Sequence, residues 1–231
     1  MQNVKTMKKL IFFAAACCMA ALFAACEKND VESVSGTANG HDYVDLGLPS
    51  GTKWATCNVG ATAPEEYGNY YAWGEITTKA TYSWDNYSWD NYFYYYNDGK
   101  TVLAPTDDAA HVNWGASWRM PTDAAWTELL ENCRWKWTDD YNGTGVAGQI
   151  VKSKINGNSI FLPAAGDRYN GDLEYAGLIG YYWSSSLSTD GPNDAWGVHF
   201  SSHYVDRFYY GCYYGQSVRP VLYFKGNFTS F

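Results

Sequence analysis

His199 and His203 stand four residues apart, and a metal ion is the first chemistry that such a pair suggests. On a helix they would share a face, but "AWGVHF" alternates like a strand and "SSHY" has the composition of a turn, so the two rings part company. No cysteine or carboxylate at ligand spacing completes a site, and neither metal nor cofactor is expected. Asp167, Arg168 and Glu174 are isolated charges beside a glycine-rich stretch, the pattern of surface groups rather than of an acid and base pair. What remains is contact chemistry. From Ser201 to Gly215 the chain reads "SSHYVDRFYYGCYYG". Tyrosine brings a large rigid ring, a polar tip and little side-chain entropy to lose, a combination that recognition surfaces use. The candidate ligand-binding residues are His199, Ser201, His203, Tyr204, Asp206, Phe208, Tyr209, Tyr210, Tyr213 and Tyr214, taken to line one face.

A buried strand favours Val, Ile and Leu, and a half-buried one alternates apolar with polar. "RFYYGCYYG" does neither, with aromatic residues in adjacent pairs between glycines. The run is therefore expected to form an exposed loop or ragged edge. A core strand and low-complexity drift in a tolerant loop are the competing readings.

The rest of the chain must position this run. With 231 residues, 46% hydrophobic and 18% aromatic, it can bury a sizeable core, and disorder is excluded. The 22 glycines and scarce helical periodicity point to short strands and many turns. The composition alone gives an irregular β-rich or α+β domain.

At the N-terminus, Lys8 and Lys9 precede an apolar run from Leu10 to Phe23, the layout of a secretory signal and too short to span a bilayer comfortably. "LFAAC", ending at Cys26, resembles a bacterial lipobox, in which cleavage leaves the cysteine to carry lipid. An ordinary secretion signal with a chance cysteine is the alternative. Residues 1–25 are thus expected to be a lipoprotein signal peptide and 26–40 a polar tether. Removing the signal takes away three lysines and no acid, moving the formal net charge from −8 to −11. An acidic chain without a basic cluster argues against nucleic acid as partner.

Within the mature chain, two short strands flank Pro49-Ser50-Gly51, with Ala55, Cys57 and Val59 on an inward face. "WRMPTDAAWTELLENCRW" is the one clear helix. Thr122 is its N-cap, and Trp126, Leu129, Leu130 and Cys133 form its apolar stripe. Cys57 and Cys133 both point inward, as a disulfide or as two buried thiols. "YSWDN" occurs twice in tandem at 82–91, read as a duplication in a tolerant surface loop in preference to a binding motif. Asn156-Gly157 marks a hairpin. "GYYWSSS", "AWGVHF" and "SVRPVLYF" read as strands, leaving 225–231 as a tail.

Taken in order, "GLPSGTKWATCNVGA", "YYAWGE", "WRMPTDAAWTELL", "FLPAAG", "YYWSSS" and "SVRPV" resemble the bacterial lipoprotein modules called the Fibrobacter succinogenes major paralogous domain. The resemblance covers nearly all of residues 41–224. The helix start and the C-terminal "SVRPV" are also similar to the formylglycine-generating-enzyme branch of the C-type lectin fold. It implies an α+β, C-type-lectin-like domain with short antiparallel strands, one clear helix, long irregular loops and adjacent chain ends. Proteins of this shape include variable targets of diversity-generating retroelements, whose rewritten codons yield Tyr, Asp, Asn, His, Ser, Phe, Cys and Gly. All of residues 201–215 except Val205 and Arg207 belong to that set. "GPND" at 191–194 only echoes the calcium-dependent sugar motif of lectins. Cys212 alone cannot supply the cysteine pair that the oxidase branch uses.

The expectation is a non-enzymatic, lipid-anchored outer-membrane protein, exposed at the cell surface, that presents tyrosines to an extracellular protein or glycan. An envelope structural or assembly lipoprotein is the alternative, and an enzyme of this fold trails both.

Overall fold

The computed structural model describes residues 34–88, 99–115, 117–190 and 193–223. The signal, Cys26, most of the tether, most of the second "YSWDN" copy and the 225–231 tail lie outside the described residues.

Two five-stranded sheets carry the fold. The first has the order β1 (Gly36–Ala38), β2 (His41–Val44), β3 (Lys53–Ala55), β15 (Val221–Leu222), β5 (Trp118–Arg119). Its centre joins the two ends of the chain, with Val221 opposite Trp54. The second has the order β13 (Val205–Gly211), β12 (Asp194–Phe200), β11 (Gly180–Leu187), β14 (Gln216–Ser217), β4 (Tyr70–Tyr71). A three-stranded meander, β6 (Cys133–Thr138), β7 (Gly148–Ser153) and β8 (Ser159–Pro163), and a small hairpin, β9 (Asp167–Tyr169) with β10 (Asp172–Glu174), complete the strands. All named pairings are antiparallel except β11 with β14, and two helices pack on them, α1 (Ala109–Trp114) and α2 (Asp123–Asn132). The class is α+β, dominated by antiparallel sheet.

Helix α2 begins as its sequence dictates. The Thr122 hydroxyl accepts from Ala125 N at 3.1 Å, and Trp126, Leu129 and Cys133 are buried, with Leu130 packed at the margin. The helix itself ends one residue short of Cys133, which opens β6. Helix α1 leaves no trace in the sequence pattern, because six residues are too few to show a period. Its cap is Asp108, a buried carboxylate that accepts from His111 N and also from Met120 N, tying the helix to the end of β5. The tether is likewise shorter than expected, since Gly36–Ala38 pairs with β2.

"SVRPV" forms two short strands rather than one. Pro220 has no N–H for a ladder, and the chain breaks pairing there. Arg219 beside it is fully buried. Its guanidinium donates to Asn58 Oδ1 and to the carbonyls of Ala55, Thr56 and Phe161 at 2.6–3.0 Å. This side chain stitches the end of β3 to β8 through main-chain acceptors, which need no carboxylate partner to satisfy its donors.

The second sheet divides the core. Trp183, Ala195 and Cys212 belong to one buried cluster with Cys57, and Tyr182, Val198 and Phe200 belong to another with Trp126, Leu129 and Cys133. Cys57 and Cys133 thus sit in different clusters, and neither is in a disulfide, so of the two alternatives the structure takes the unbridged one. Burial pushes the Cys133 thiol up to about 12.

Candidate functional site

Strand β13 resolves the question of the tyrosine run. It is neither a loop nor a core strand, but a regular edge strand paired with β12 without interruption from Asp194↔Gly211 to Phe200↔Val205. Aromatic residues suit a pleated, half-buried surface, and small residues make room across the ladder. Phe208 faces Gly197 and Tyr210 faces Ala195. A side chain at Gly197 would meet the Tyr182 carbonyl at 2.6 Å, so that position requires glycine.

The period of two then splits the candidate residues. Asp206, Phe208 and Tyr210 share a face with His199, as the cross-strand register requires. His199 lies 5.3 Å from Phe208 and 4.8 Å from Tyr204 between ring centroids, and its Nδ1 is 3.0 Å from the Tyr210 hydroxyl. Tyr209 faces the other way. It meets Trp196 edge-on at 5.4 Å, beside Arg207, whose guanidinium covers the Trp196 ring and grips Asp123 of α2 with two bonds of 2.7 Å. Its ring also stacks on Phe208 around the free edge, at 5.3 Å. The expectation of a single face is corrected accordingly.

Ser201 is buried, with its carbonyl accepting from Gln149 and its hydroxyl from His203 N. It shapes the turn and offers no surface. His203 is exposed in that turn and bonds Ser202, on a different element from His199. Tyr213 and Tyr214 follow β13 in a turn and stack on each other at 4.7 Å. Between them and the strand, Cys212 points inward with no exposed surface, and burial raises its thiol well above the ordinary range.

The structure adds rings that the linear reading missed. Tyr169 stacks on Tyr214 at 5.1 Å, Trp84 meets Tyr213 at 5.7 Å, and Tyr181 meets Tyr210 at 5.2 Å and Tyr175 at 6.4 Å. The resulting surface runs without a break from Trp84 through the tyrosines to Phe208 and Tyr204, with Trp84, Phe208 and Tyr204 exposed by 49%, 44% and 42%. Tyr169 arrives through pairing with distant segments, Arg168 with Gly215 and Asn170 with Tyr82, which no local spacing reveals. The tandem motif did carry a signal. Its two tyrosines, Tyr82 and Tyr87, are buried and donate to the carbonyls of Tyr70 and Trp73, so the first copy is an anchored segment that lifts Trp84 outward, not a tolerant loop.

Asp167 is 3% exposed, and its Oδ1 has no hydrogen-bond partner. Its sequence surroundings suggest a surface charge, and the structure instead buries it near the tyrosines. Burial, reinforced by Glu174, pushes its carboxyl up to about 7. Its proximity adds to the burial that holds the Tyr181 hydroxyl up to about 12 and the Tyr210 hydroxyl higher still. Burial lowers His199, with Asp206 opposing, which leaves the imidazole neutral at pH 7 and able to accept from Tyr210. The patch is thus a ring-lined surface with polar tips, of the kind that makes contacts.

Among the described residues no three His, Cys, Asp or Glu side chains gather to hold a metal ion, and no helix is long and apolar enough to cross a membrane. Comparison with protein-family models, with curated proteins and with solved structures finds no match.

Proposed function

We propose that this chain is a lipid-anchored envelope protein with a C-type-lectin-like domain, whose edge strand and flanking turns hold an extracellular protein or glycan. The observation that carries the reading is the continuous aromatic surface from Trp84 to Tyr204, because exposed rings clustered on a rigid sheet are what binding hot spots are made of. The adjacency of β3 and β15 agrees with the fold that the sequence resemblance implies. A further point concerns residues 201–215, the stretch whose composition matches retroelement rewriting. It coincides with one edge strand and its two turns, where substitutions disturb few buried groups. Anchoring rests on Cys26. Metabolic labelling with a fatty-acid analogue is expected to mark the wild type and to be lost in Cys26→Ala, and a mutant that stays labelled would sink that part of the proposal.

The binding claim is tested by screening the purified full chain on glycan and surface-protein arrays, in chelator and at moderate salt. Contact through apolar rings survives both conditions, whereas exposed charge pairs weaken with salt. Joint replacement of Tyr204 and Phe208 by Ala is expected to abolish the signal, at roughly 2 kcal/mol for each anchor. A signal that needs calcium, or one that the double variant keeps, overturns the reading.

One observation favours the second reading, assembly with sibling chains. The outer side of β13 pairs with no strand among the described residues, and an open edge can accept another strand. Concentration-dependent dimerisation that is lost on substituting Pro for Tyr209 would move the conclusion to that reading.

A further inference from the structure

On the other side of β9 from the tyrosine patch lies a separate recess of about 310 Å³, lined by Asn69, Thr78, Lys79 and Arg168 and walled by Tyr70 and Tyr82. Neighbouring strand residues point to opposite faces. Tyr169 accordingly stacks in the patch while Arg168 turns into the recess, its guanidinium 5.2 Å from the Tyr70 ring centroid. The walls are rigid, because Tyr70 spends its hydroxyl on the Ala165 carbonyl and Tyr82 on the Tyr70 carbonyl, each at 2.6 Å.

The two cations of the recess differ. Lys79 is spent, with its ammonium on both oxygens of Glu75 and on the Asn86 carbonyl. Arg168 makes main-chain bonds to Gly215, but its guanidinium has neither a hydrogen-bonded acceptor nor an ion pair among the described residues. A half-buried guanidinium whose donors meet no acceptor of the chain stays open to one brought by a ligand. This chain also carries an excess of acids, with 24 Asp and Glu against 16 Lys and Arg, yet none of them answers Arg168.

We propose that this recess is a binding site for a small ligand carrying a carboxylate, an acidic sugar such as a uronic acid, with Arg168 gripping the carboxylate. A planar two-oxygen group matches the guanidinium fork with two parallel bonds. Asn69 and Thr78 in the lining bring polar side chains to meet the hydroxyl groups of a sugar ring, the Asn69 amide nitrogen also reaching the Tyr71 hydroxyl at 3.4 Å, and the volume lies at the small end of ligand sites, enough for one ring. The site does not depend on the tyrosine patch, and the two can fail separately.

Calorimetric titration of the full chain in detergent tests the assignment, with sodium glucuronate as probe, glucose as its neutral counterpart and inorganic phosphate as the competing oxyanion. Saturable binding of glucuronate, tighter than phosphate and absent with glucose, is expected. Arg168→Gln should weaken it by about tenfold or more, and Arg168→Lys should also weaken it, because an ammonium keeps the charge and loses the fork. Tyr204→Ala should leave it unchanged. Should the Arg168 variants fold poorly, the unaltered protein still decides the matter. Phenylglyoxal modification mapped by mass spectrometry should label Arg168, and glucuronate should protect it. Binding of glucose as tight as that of glucuronate, phosphate binding more tightly, undiminished binding in folded Arg168→Gln, or no protection of Arg168 would each overturn the proposal.

Discussion

Trp183 and Phe208 stand on the same sheet, yet the buried rings of the core and the rings around Phe208 are held in different ways. In most of the buried set the polar tip goes to the main chain, Trp54 being an exception whose indole nitrogen has no partner. Trp73, Trp118, Trp126 and Trp183 donate their indole N–H to the carbonyls of Ser184, Ala38, Trp183 and Tyr71, and Tyr70, Tyr82, Tyr87 and Tyr182 donate their hydroxyls to carbonyls as well. In the patch the rings lean on one another, and Tyr210 turns its hydroxyl to the His199 side chain. Main-chain anchoring fixes a ring to the scaffold, so its loss leaves a cavity and an orphaned carbonyl. Mutual stacking fixes a ring only to its neighbours, and the patch can exchange members at small cost.

The sharpest way to break this contrast is Arg219, the deepest main-chain anchor. Arg219→Ala strands three carbonyls and opens a void, and a loss of about 3–5 kcal/mol or more in urea unfolding is expected. A cost near 1 kcal/mol would show that the stitch between β3 and β8 is dispensable. Trp126→Ala is expected to lose about 3–5 kcal/mol and Leu129→Ala about 2–5 kcal/mol through cavity formation.

Asp167 tests the seam between the two regions. Unfolded, its carboxyl titrates near 3.8, and folded it is pushed up to about 7. Between those values the unfolded chain releases a proton that the folded chain keeps, so this group makes stability fall as pH rises from about 4 to about 7, with no further change above. Asp167→Asn should flatten that slope and gain on the order of 2–4 kcal/mol at pH 8. A slope that persists unchanged in the variant assigns it to other groups.

The smallest effect belongs to the patch. Phe208→Ala and Tyr204→Ala are expected to change stability by less than about 1 kcal/mol, as exposed sites do. If either unfolds as readily as Trp126→Ala, the patch is part of the scaffold and the contrast fails. Tyr209→Ala is the intermediate case, because that ring packs against Trp196 on the helix side of the strand.

Local rules carried the elements whose causes are local. Thr122 capping α2, the Asn156-Gly157 hairpin between β7 and β8, the strands at "GYYWSSS" and "AWGVHF", and the inward Cys133 follow from periodicity and turn chemistry within a few residues. Cys57 is buried for another reason, since β3 ends at Ala55 and all of residues 55–59 are buried with no alternation. Tertiary structure decided the rest. Arg219 is a stitch because acceptors from residues 55, 56, 58 and 161 converge on it, and Asp167 is buried because β9 is pinned between Tyr82 and Gly215. The same sequence run that fixed the presence of tyrosines could not say which of them face outward. That depended on β13 pairing in register with β12 at the sheet's edge, since in a strand a shift of one residue sends every side chain to the opposite face.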